Sequence, residues 1–308
     1  MQKKRLKATV ERFLQYLRLE RNLSWRTVDL YRRDLCQWDA FMTAGGREAD
    51  LPSVTAGDIR LWLMERSAQG DSPGTLRHKV QAIRALYRYL LRRGEVSANP
   101  AAVVELAKLP KPLPKFVRET TVNAVLDDDI DQDDATQVRD RLIVMLFYET
   151  GMRLSELIGL QDAAVDTTKR ELKVLGKRNK ERIIPFGPEL ATAIDHYRGL
   201  RLSLAPECGN LLLTPKGRPL YPSLVYHVVH DAMAQAGASG KLSPHVLRHT
   251  FASVMLNNGA ELNSVKELLG HESLAATQVY THVTLRELQH NYELAHPRAL
   301  KKGGYYGH

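Results

Sequence analysis

The fold is set by the stretch 139-RDRLIVMLFYETGMRLSEL-157, in which two predicted helices meet. Its apolar run, residues 142–147, is too short to span a membrane, and residues 139–148 are predicted to form an apolar helix. Gly151 is predicted to end that helix, and a second helix begins near Ser155. Arg153 lies at this break, where a guanidinium adds to the positive potential of a helix N-terminus and can bind a phosphate through two hydrogen bonds. The alternative is a structural ion pair with a nearby acid.

The segments on either side predict different architectures. Downstream, 171-ELKVLG-176 and 182-RIIPF-186 have the composition of two strands joined by a turn, and the pattern is helical from there to about residue 295. Upstream, four helices with short connections predict a small bundle. The expected fold class is therefore mainly α with a small β-sheet (α+β), in which an N-terminal helical bundle precedes a mixed α/β domain.

A proline-rich segment separates the two architectures. In 108-KLPKPLPKFVRE-119, three prolines remove backbone donors and disfavour helix, so we predict an interdomain linker there. The linker divides a helical domain at residues 1–107 from a mixed domain at residues 120–299, and a tail follows at residues 300–308. The acidic run 127-DDDIDQDD-134 is predicted to be a solvated loop or the start of a helix.

The charge balance favours a polyanionic partner. The 308 residues include 44 Lys and Arg against 35 Asp and Glu, which gives a formal charge of +9 at pH 7. An excess of this kind is typical of proteins that bind nucleic acid. Several basic residues of the bundle lie between its apolar positions and either face phosphates or form a solvated helix face. They are Arg32, Arg33, Lys79, Arg84 and Arg88.

Cysteine usage and the N-terminus indicate the compartment. Two cysteines, Cys36 and Cys208, are too few for a disulfide framework or a cysteine-cluster zinc site. The N-terminal residues are basic but lack the apolar stretch of a signal peptide. We therefore expect a cytoplasmic protein without a membrane span.

A second group of candidate residues lies in 243-SPHVLRHTFASVMLNNG-259. Ser243 is predicted to cap this helix, and His245 and Arg248 project from one face near its start, where an anion is favoured. His245 and His249 have the spacing of a zinc pair, but no Glu follows the first histidine as a metalloprotease helix would require. We therefore expect no metal here.

The remaining candidates are a lysine, a histidine and a tyrosine. Lys177 starts the turn between the two strands and is either solvated or able to protonate a leaving oxygen. In 268-LLGHESLAATQVYTHV-283, Gly270 ends a predicted helix, His271 follows at once, and Tyr280 either packs or acts as a nucleophile. Together with the arginines, these groups suit metal-free phosphoryl transfer, in which cations stabilise the phosphorane and tyrosine attacks.

The chain resembles the tyrosine recombinases, and among them the Xer type. The resemblance is carried by five segments in order between residues 150 and 283, namely TGMRLSEL, LGKRNKERIIPF, LSPHVLRHTFAS, ELLGH and QVYTHV. Each motif alone is weak, but five in register are specific. The similarity covers essentially the whole chain to 296-HPRA-299, whereas Glu272 and the tail depart from the family pattern.

The resemblance implies a SAM-like core-binding domain at the N-terminus and a tyrosine-recombinase catalytic domain at residues 120–299. The two would clamp double-stranded DNA at a specific recombination site. It also implies a set of catalytic residues with Tyr280 as the nucleophile. The set is Arg153, Lys177, His245, Arg248, His271 and Tyr280.

The resemblance further implies a reaction and an assembly. Members of the family cut one strand per protomer to leave a 3′-phosphotyrosine and a free 5′-hydroxyl, without metal, cofactor or ATP. Strands are exchanged through a Holliday junction in a cyclic tetramer, with or without a second Xer-type recombinase. The implied role is chromosome dimer resolution and segregation, with an FtsK-type translocase as a candidate partner. The alternatives are an integrase or invertase of a mobile element, and a non-catalytic DNA-binding accessory protein.

An apolar stripe near the C-terminus has two interpretations. Leu285, Leu288 and Tyr292 have helical spacing and follow the last catalytic motif. They either pack on the core of their own chain or dock onto a neighbouring protomer of the tetramer. We expect the second arrangement.

Overall fold

The chain divides into two compact units, residues 1–111 and residues 112–308. Each unit has a hydrophobic core of its own. No helix within the described ranges is both long and apolar enough to cross a bilayer. The structure, a computed structural model, describes residues 3–44, 51–106, 116–176, 181–204, 207–240, 242–270 and 285–299.

Within its described residues, the first unit is a bundle of four α-helices. They are α1 (Lys3–Leu19), α2 (Trp25–Ala44), α3 (Ala56–Ala68) and α4 (Pro73–Arg92). The last three begin at hydroxyl residues, because the side-chain oxygens of Ser24, Thr55 and Ser72 each accept a backbone N–H of the following helix. Trp38 and Trp62 meet edge to face in the core, with ring centroids 5.3 Å apart. The large aromatic residues of α2 and α3 therefore hold the bundle together.

Two basic residues that were candidates for phosphate contacts are engaged inside this bundle. Lys79 is only 3% exposed, and its Nζ lies 3.3 Å from Asp34 Oδ1 and 3.6 Å from Asp71 Oδ2. Arg84 donates through Nε to the carbonyl of Ala101 at 2.8 Å. The phosphate-facing interpretation is therefore wrong for Lys79, whose charge is neutralised by a buried acid, and Arg84 is bound to a loop carbonyl.

The second unit surrounds one central helix, α6 (Ala135–Thr150), in which every residue from Leu142 onward is buried. Because all its faces are covered, its sequence shows a continuous apolar run rather than an amphipathic pattern. The helices around it are α5 (Glu119–Asp127), α7 (Leu154–Gly159), α8 (Pro188–Arg201), α9 (Pro222–Gln235), α10 (Pro244–Asn257), α11 (Leu262–Leu269) and α12 (Leu285–Ala295).

The segment between α7 and α8 forms a small antiparallel sheet. Its strands are β1 (Val165–Asp166), β2 (Glu171–Leu175) and β3 (Glu181–Pro185), in the order β1-β2-β3. Leu172 pairs with Ile184 across β2 and β3, and both side chains are buried. A mainly helical chain with one small sheet confirms the predicted fold class.

The segment before α5 is already part of the second unit. Of the predicted linker at residues 108–119, the structure describes residues 116–119. Val117 is buried in the core of this unit, and its backbone N–H donates to Thr250 Oγ1 on α10 at 3.0 Å. The chain is therefore attached to α10 at residue 117.

Helix α6 ends where predicted, at Gly151, which has the left-handed conformation (φ 58°). A Cβ at this position would overlap the ring of Phe251 on α10. Glycine is therefore required both for the backbone angle and for the close approach of the two helices. This break sets the position of Arg153, two residues later.

Helix α12 packs on the core of its own unit. Leu288 and Tyr292 are 7% and 1% exposed and belong to the same apolar cluster as α6 and α10. The expectation that this stripe docks onto a neighbouring protomer is wrong for these two residues, because the core of the same chain already covers them. The side chain of Leu285 lies outside the described residues.

A buried polar cluster joins α12 to the end of α6. The Tyr292 hydroxyl donates to Glu149 Oε2 at 3.3 Å, and the same oxygen accepts the N–H of Gly187 at 3.3 Å. Burial raises the pKa of Glu149 to about 8. His296 stacks on Tyr292 with ring centroids 5.0 Å apart, and burial lowers the pKa of His296 to about 4. At neutral pH the cluster therefore contains a protonated carboxyl and a neutral imidazole.

We predict that Glu149→Gln flattens the dependence of stability on pH above neutrality. An unfolded Glu loses its proton near pH 4.5, whereas folded Glu149 keeps it to about pH 8, so unfolding releases a proton in this window and stability falls as pH rises. His296 opposes this only below about pH 6.5, its unfolded pKa. Between about pH 6.5 and 8 the parent chain should lose about 2 kcal/mol of unfolding free energy that the variant retains.

Urea unfolding at several pH values measures this difference. Glu207→Gln is the matched control, because the Glu207 side chain is largely exposed, and its profile should follow that of the parent. Equal slopes for the parent and Glu149→Gln would show that Glu149 is ionised in the folded protein.

Candidate active site

Arg153 lies between α6 and α7, and its guanidinium is anchored from two sides. Nη1 donates to Glu156 Oε1 at 2.8 Å, and Nη2 donates to the carbonyl of Gly270 at 2.6 Å. The Arg153 backbone N–H donates to Glu156 Oε2 at 2.7 Å. The ion pair that was the alternative interpretation is therefore present, yet a third of the Arg153 side chain remains exposed.

Arg248 on α10 is buried and bound to main-chain carbonyls. Its Nη1 donates to the carbonyl of Gly151, and its Nη2 donates to that of Leu269 at 2.6 Å. Burial, and next the charge of Arg153, lower the pKa of Arg248 to about 10, so it is protonated at neutral pH. The structure thus brings together two arginines that are far apart in the sequence.

Two further residues belong to this cluster. Arg182 on β3 binds the Glu156 carboxylate with two nitrogens, Nη1 to Oε1 and Nη2 to Oε2, the latter at 2.8 Å. Burial alone would raise the pKa of Glu156, but the hydrogen bonds and charges of Arg182 and Arg153 lower it to about 2. Glu156 is therefore an ionised, buried carboxylate shared by two guanidiniums.

The sequence contains a signal for Arg182 that the motif analysis missed. In the apolar strand 182-RIIPF-186, residues two apart point to the same face. Ile184 is fully buried, so Arg182 must also point toward the interior. A cation on the buried face of a strand requires an anionic partner, and Glu156 is the acid that fulfils this requirement.

His245 lies near the start of α10, as predicted, and its side chain is exposed. Its ring lies 5.2 Å from that of His249 in an edge-on arrangement. Ser243 occupies the N-cap position, but its hydroxyl is buried and has no hydrogen-bond partner within the described residues. The prediction for Ser243 is therefore right in position and wrong for the capping hydrogen bond.

The other predicted residues lie outside the described part of the chain. Lys177, His271 and Tyr280 fall in residues 177–180 and 271–284, which the structure does not describe. Their described neighbours in sequence are β2 and β3 on one side and the end of α11 on the other.

The described part of the site is suited to bind an oxyanion. Arg153 and Arg248 each carry more N–H donors than their contacts to Glu156 and the carbonyls use, and guanidiniums form strong charge-assisted hydrogen bonds with phosphate oxygens. Across the ranges that the structure describes, no three His, Cys, Asp or Glu side chains are grouped so as to hold a metal ion. The arrangement can therefore stabilise negative charge on a tetrahedral or pentacoordinate phosphorus by means of its arginines.

Both units match known protein families. Residues 115–287 match the phage integrase family, and residues 10–94 match the phage integrase N-terminal SAM-like domain. The tyrosine recombinase XerC of Chlorobaculum parvum (strain DSM 263 / NCIMB 8327) is 37% identical over 317 residues, which cover 94% of this chain and 94% of that protein.

Solved structures share the fold at low sequence identity. The XerH site-specific recombinase bound to palindromic difH substrate, a post-cleavage complex, has a TM-score of 0.70 and 19% identity, covering 92% of this chain and 83% of that one. A lambda integrase tetramer bound to a Holliday junction has a TM-score of 0.67 and 16% identity, covering 90% of this chain and 80% of that one.

We predict that Glu156→Ala destabilises the chain by about 3–5 kcal/mol, the usual cost of removing one partner from a buried ion pair. The substitution leaves Arg182 buried without its carboxylate and removes the cap of α7. Glu207→Ala is the control, since its ion pair with Arg218 is solvent-exposed and should contribute at most about 1 kcal/mol. Chemical denaturation measures both, and equal losses for the two variants would contradict a special role of the Glu156 carboxylate.

Proposed function

The chain belongs to the phage integrase family of tyrosine recombinases, enzymes that cleave and rejoin DNA, and from that premise we propose that it is a site-specific recombinase acting through a 3′-phosphotyrosine intermediate and a Holliday junction. The observation that carries this proposal is the pairing of Arg153 with Arg248. Two guanidiniums from distant motifs converge on the helix break at Gly151 and on the end of α11, as binding of one scissile phosphate requires.

The proposed chemistry assigns a role to each candidate residue. The phenolic oxygen of Tyr280 attacks phosphorus, and the bond from phosphorus to the 5′-oxygen breaks. Lys177 protonates the departing 5′-oxygen, while His245 and His271 hold or transfer the proton of the tyrosine. Arg153 and Arg248 stabilise the additional charge on the non-bridging oxygens.

The proposed strand cleavage and rejoining would not require ATP. The phosphodiester is exchanged for a phosphotyrosine ester of similar energy, so the 5′-hydroxyl of another strand can reverse the reaction. Arg248 contributes as a cation that is already desolvated, because its side chain is buried in the free protein. A charge that is fixed before the substrate arrives requires little reorganisation in the transition state.

The proposed biological role is chromosome dimer resolution and segregation in the cytoplasm. The proposed partners are double-stranded DNA with a specific site and three further protomers, with or without a second Xer-type recombinase, and an FtsK-type translocase. The similarity to XerC supports this role, and the tetrameric lambda integrase complex supports the assembly. The net charge of +9 supports binding to a polyanion.

Covalent trapping on nicked suicide duplexes tiled from the genome of origin tests this proposal. We expect DNA that remains attached to the protein through SDS, and we expect Tyr280→Phe to bind DNA but form no covalent product, because it lacks the attacking oxygen. Covalent product from Tyr280→Phe would refute Tyr280 as the nucleophile.

The trapped DNA also identifies the biological role. One site near the replication terminus would support dimer resolution, whereas element ends or inverted repeats would support an integrase or invertase. DNA binding without any covalent product from the parent protein would instead indicate a non-catalytic accessory protein.

We predict that Arg248→Ala slows cleavage by about 100- to 1,000-fold, the usual effect of removing one stabilising donor. Arg201→Ala is the matched control, because Arg201 is also buried and also donates to carbonyls, those of Asn210 and Cys208. Single-turnover formation of covalent product at saturating DNA measures both variants. Equal rates for the two would place Arg248 in a structural role only.

A further inference from the structure

Three consecutive carbonyls at the end of α11 are each bound by a different arginine. The carbonyl of Leu268 accepts from Arg182 Nε at 2.9 Å. The next two carbonyls, of Leu269 and Gly270, accept from Arg248 and Arg153, each at 2.6 Å. These carbonyls lack partners inside the helix and lie at the negative end of its dipole. The end of α11 is therefore a common attachment point for the three guanidiniums.

All three guanidinium nitrogens of Arg182 have protein acceptors. Nη1 and Nη2 bind the two oxygens of Glu156, and Nε binds the carbonyl of Leu268. Its side chain is 11% exposed, against 33% for that of Arg153. Arg182 is thus directed at the protein interior, whereas Arg153 keeps part of its guanidinium available.

The fit around Arg182 leaves little freedom. Its guanidinium lies so close to Gly270 that a Cβ there would come within 3.2 Å of Arg182 Cδ and Nη1. Gly270 itself has the left-handed conformation (φ 62°). Arg182 therefore fixes the turn at the end of α11 and the carboxylate at the start of α7 relative to each other.

We propose that Arg182 is a positioning residue for DNA cleavage, which holds Glu156 and the end of α11 in place and thereby sets where Arg153 and Arg248 meet the scissile phosphate. This inference rests on the proposed function. Arg182 acts through its neighbours, since each of its three nitrogens already binds a protein group and its side chain is only 11% exposed.

The expected consequence of losing Arg182 follows from the contacts that remain. Among the described residues, Arg153 alone would still donate to the Glu156 carboxylate, so Glu156 would draw the guanidinium of Arg153 toward itself. The carbonyl of Leu268 would lose its donor, and the neighbouring carbonyls that hold Arg248 and Arg153 would shift with it. A displacement of about 1 Å at a reacting centre can cost about 100-fold in rate.

The experiment compares Arg182→Met, Arg182→Lys and a matched control, Arg198→Met. Arg198 lies on α8 in the same unit, where it also binds an acid, Asp162, and main-chain carbonyls. Removing the Arg198 guanidinium breaks contacts of the same kind, and none of those contacts involves Glu156. For each variant we would measure the thermal midpoint, the Kd for the trapped DNA site and the single-turnover rate of covalent product formation.

We expect Arg182→Met to slow cleavage by about 100-fold with DNA affinity changed less than about threefold. Arg182→Lys should recover only part of the rate, because an ammonium cannot bind both carboxylate oxygens in the planar geometry of a guanidinium. Arg198→Met should lower the thermal midpoint comparably and cleave within about threefold of the parent rate. A cleavage rate that falls while DNA affinity is kept, and while the thermal midpoint falls no more than in Arg198→Met, distinguishes a positioning residue from one that only supports the fold.

The inference is overturned if Arg182→Met cleaves as fast as Arg198→Met, or if its DNA affinity falls as much as its rate. If Arg182→Met does not fold, Arg182→Lys decides, and a parent-like rate for that variant overturns the inference. Failure of the parent protein to trap DNA would refute the proposed function, and the inference with it. Trapping by the parent with rates insensitive to Arg182 would refute the inference alone.

Discussion

The buried carboxylate of Glu156 is the contact on which the arrangement of the cationic site depends. Guanidiniums that are brought together inside a protein repel one another and lose hydration, which costs several kcal/mol per ion unless a counter-charge is present. Glu156 binds Arg153 and Arg182 directly, and its charge partly offsets the effect of Arg153 on Arg248. Within the part of the site that the structure describes, one carboxylate among three guanidiniums still leaves a positive excess. A bound phosphodiester, and still more its pentacoordinate state, would neutralise that excess.

Main-chain carbonyls determine where the guanidiniums point. The carbonyls involved lie at two helix ends: Gly151 follows α6, Leu269 is the last residue of α11, and Gly270 follows it. Helix ends supply such acceptors because their last carbonyls have no partner within the helix. A guanidinium bound to two carbonyls of a rigid backbone is fixed more firmly than one bound to a flexible side chain. Arg248 is therefore preorganised by secondary structure, and Arg153 is held by one such carbonyl together with Glu156.

The sequence was most informative where the deciding contacts are local, although the local capping hydrogen bond expected of Ser243 did not form. The break at Gly151 and the pairing of β2 with β3 depend on residues within a few positions of each other, and both were predicted correctly. Arg153 and Arg248 were identified by motif and meet in the structure.

The errors at Lys79, Leu288 and Tyr292, and the omission of Arg182, concern partners that are remote in the sequence. Lys79 has the helical spacing of a surface cation, and only the fold shows that Asp34, 45 residues away, lies opposite it in the core. The periodicity of Leu288 and Tyr292 shows that they are buried but cannot identify the surface that covers them. Arg182 was missed because its partner Glu156 lies on a different element, 26 residues away.

The two left-handed glycines have a consequence for how far the protein can be changed. At position 151 a side chain would occupy the space of Phe251, and at position 270 it would press on Arg182. Both sites are part of the surface that organises the arginines, although neither glycine carries a functional group. A programme of directed evolution toward a new DNA target would therefore meet a steric clash at position 151 and a tight contact at position 270. Variation at exposed residues meets neither obstacle, and variants of that kind would inherit the main-chain geometry around the arginines.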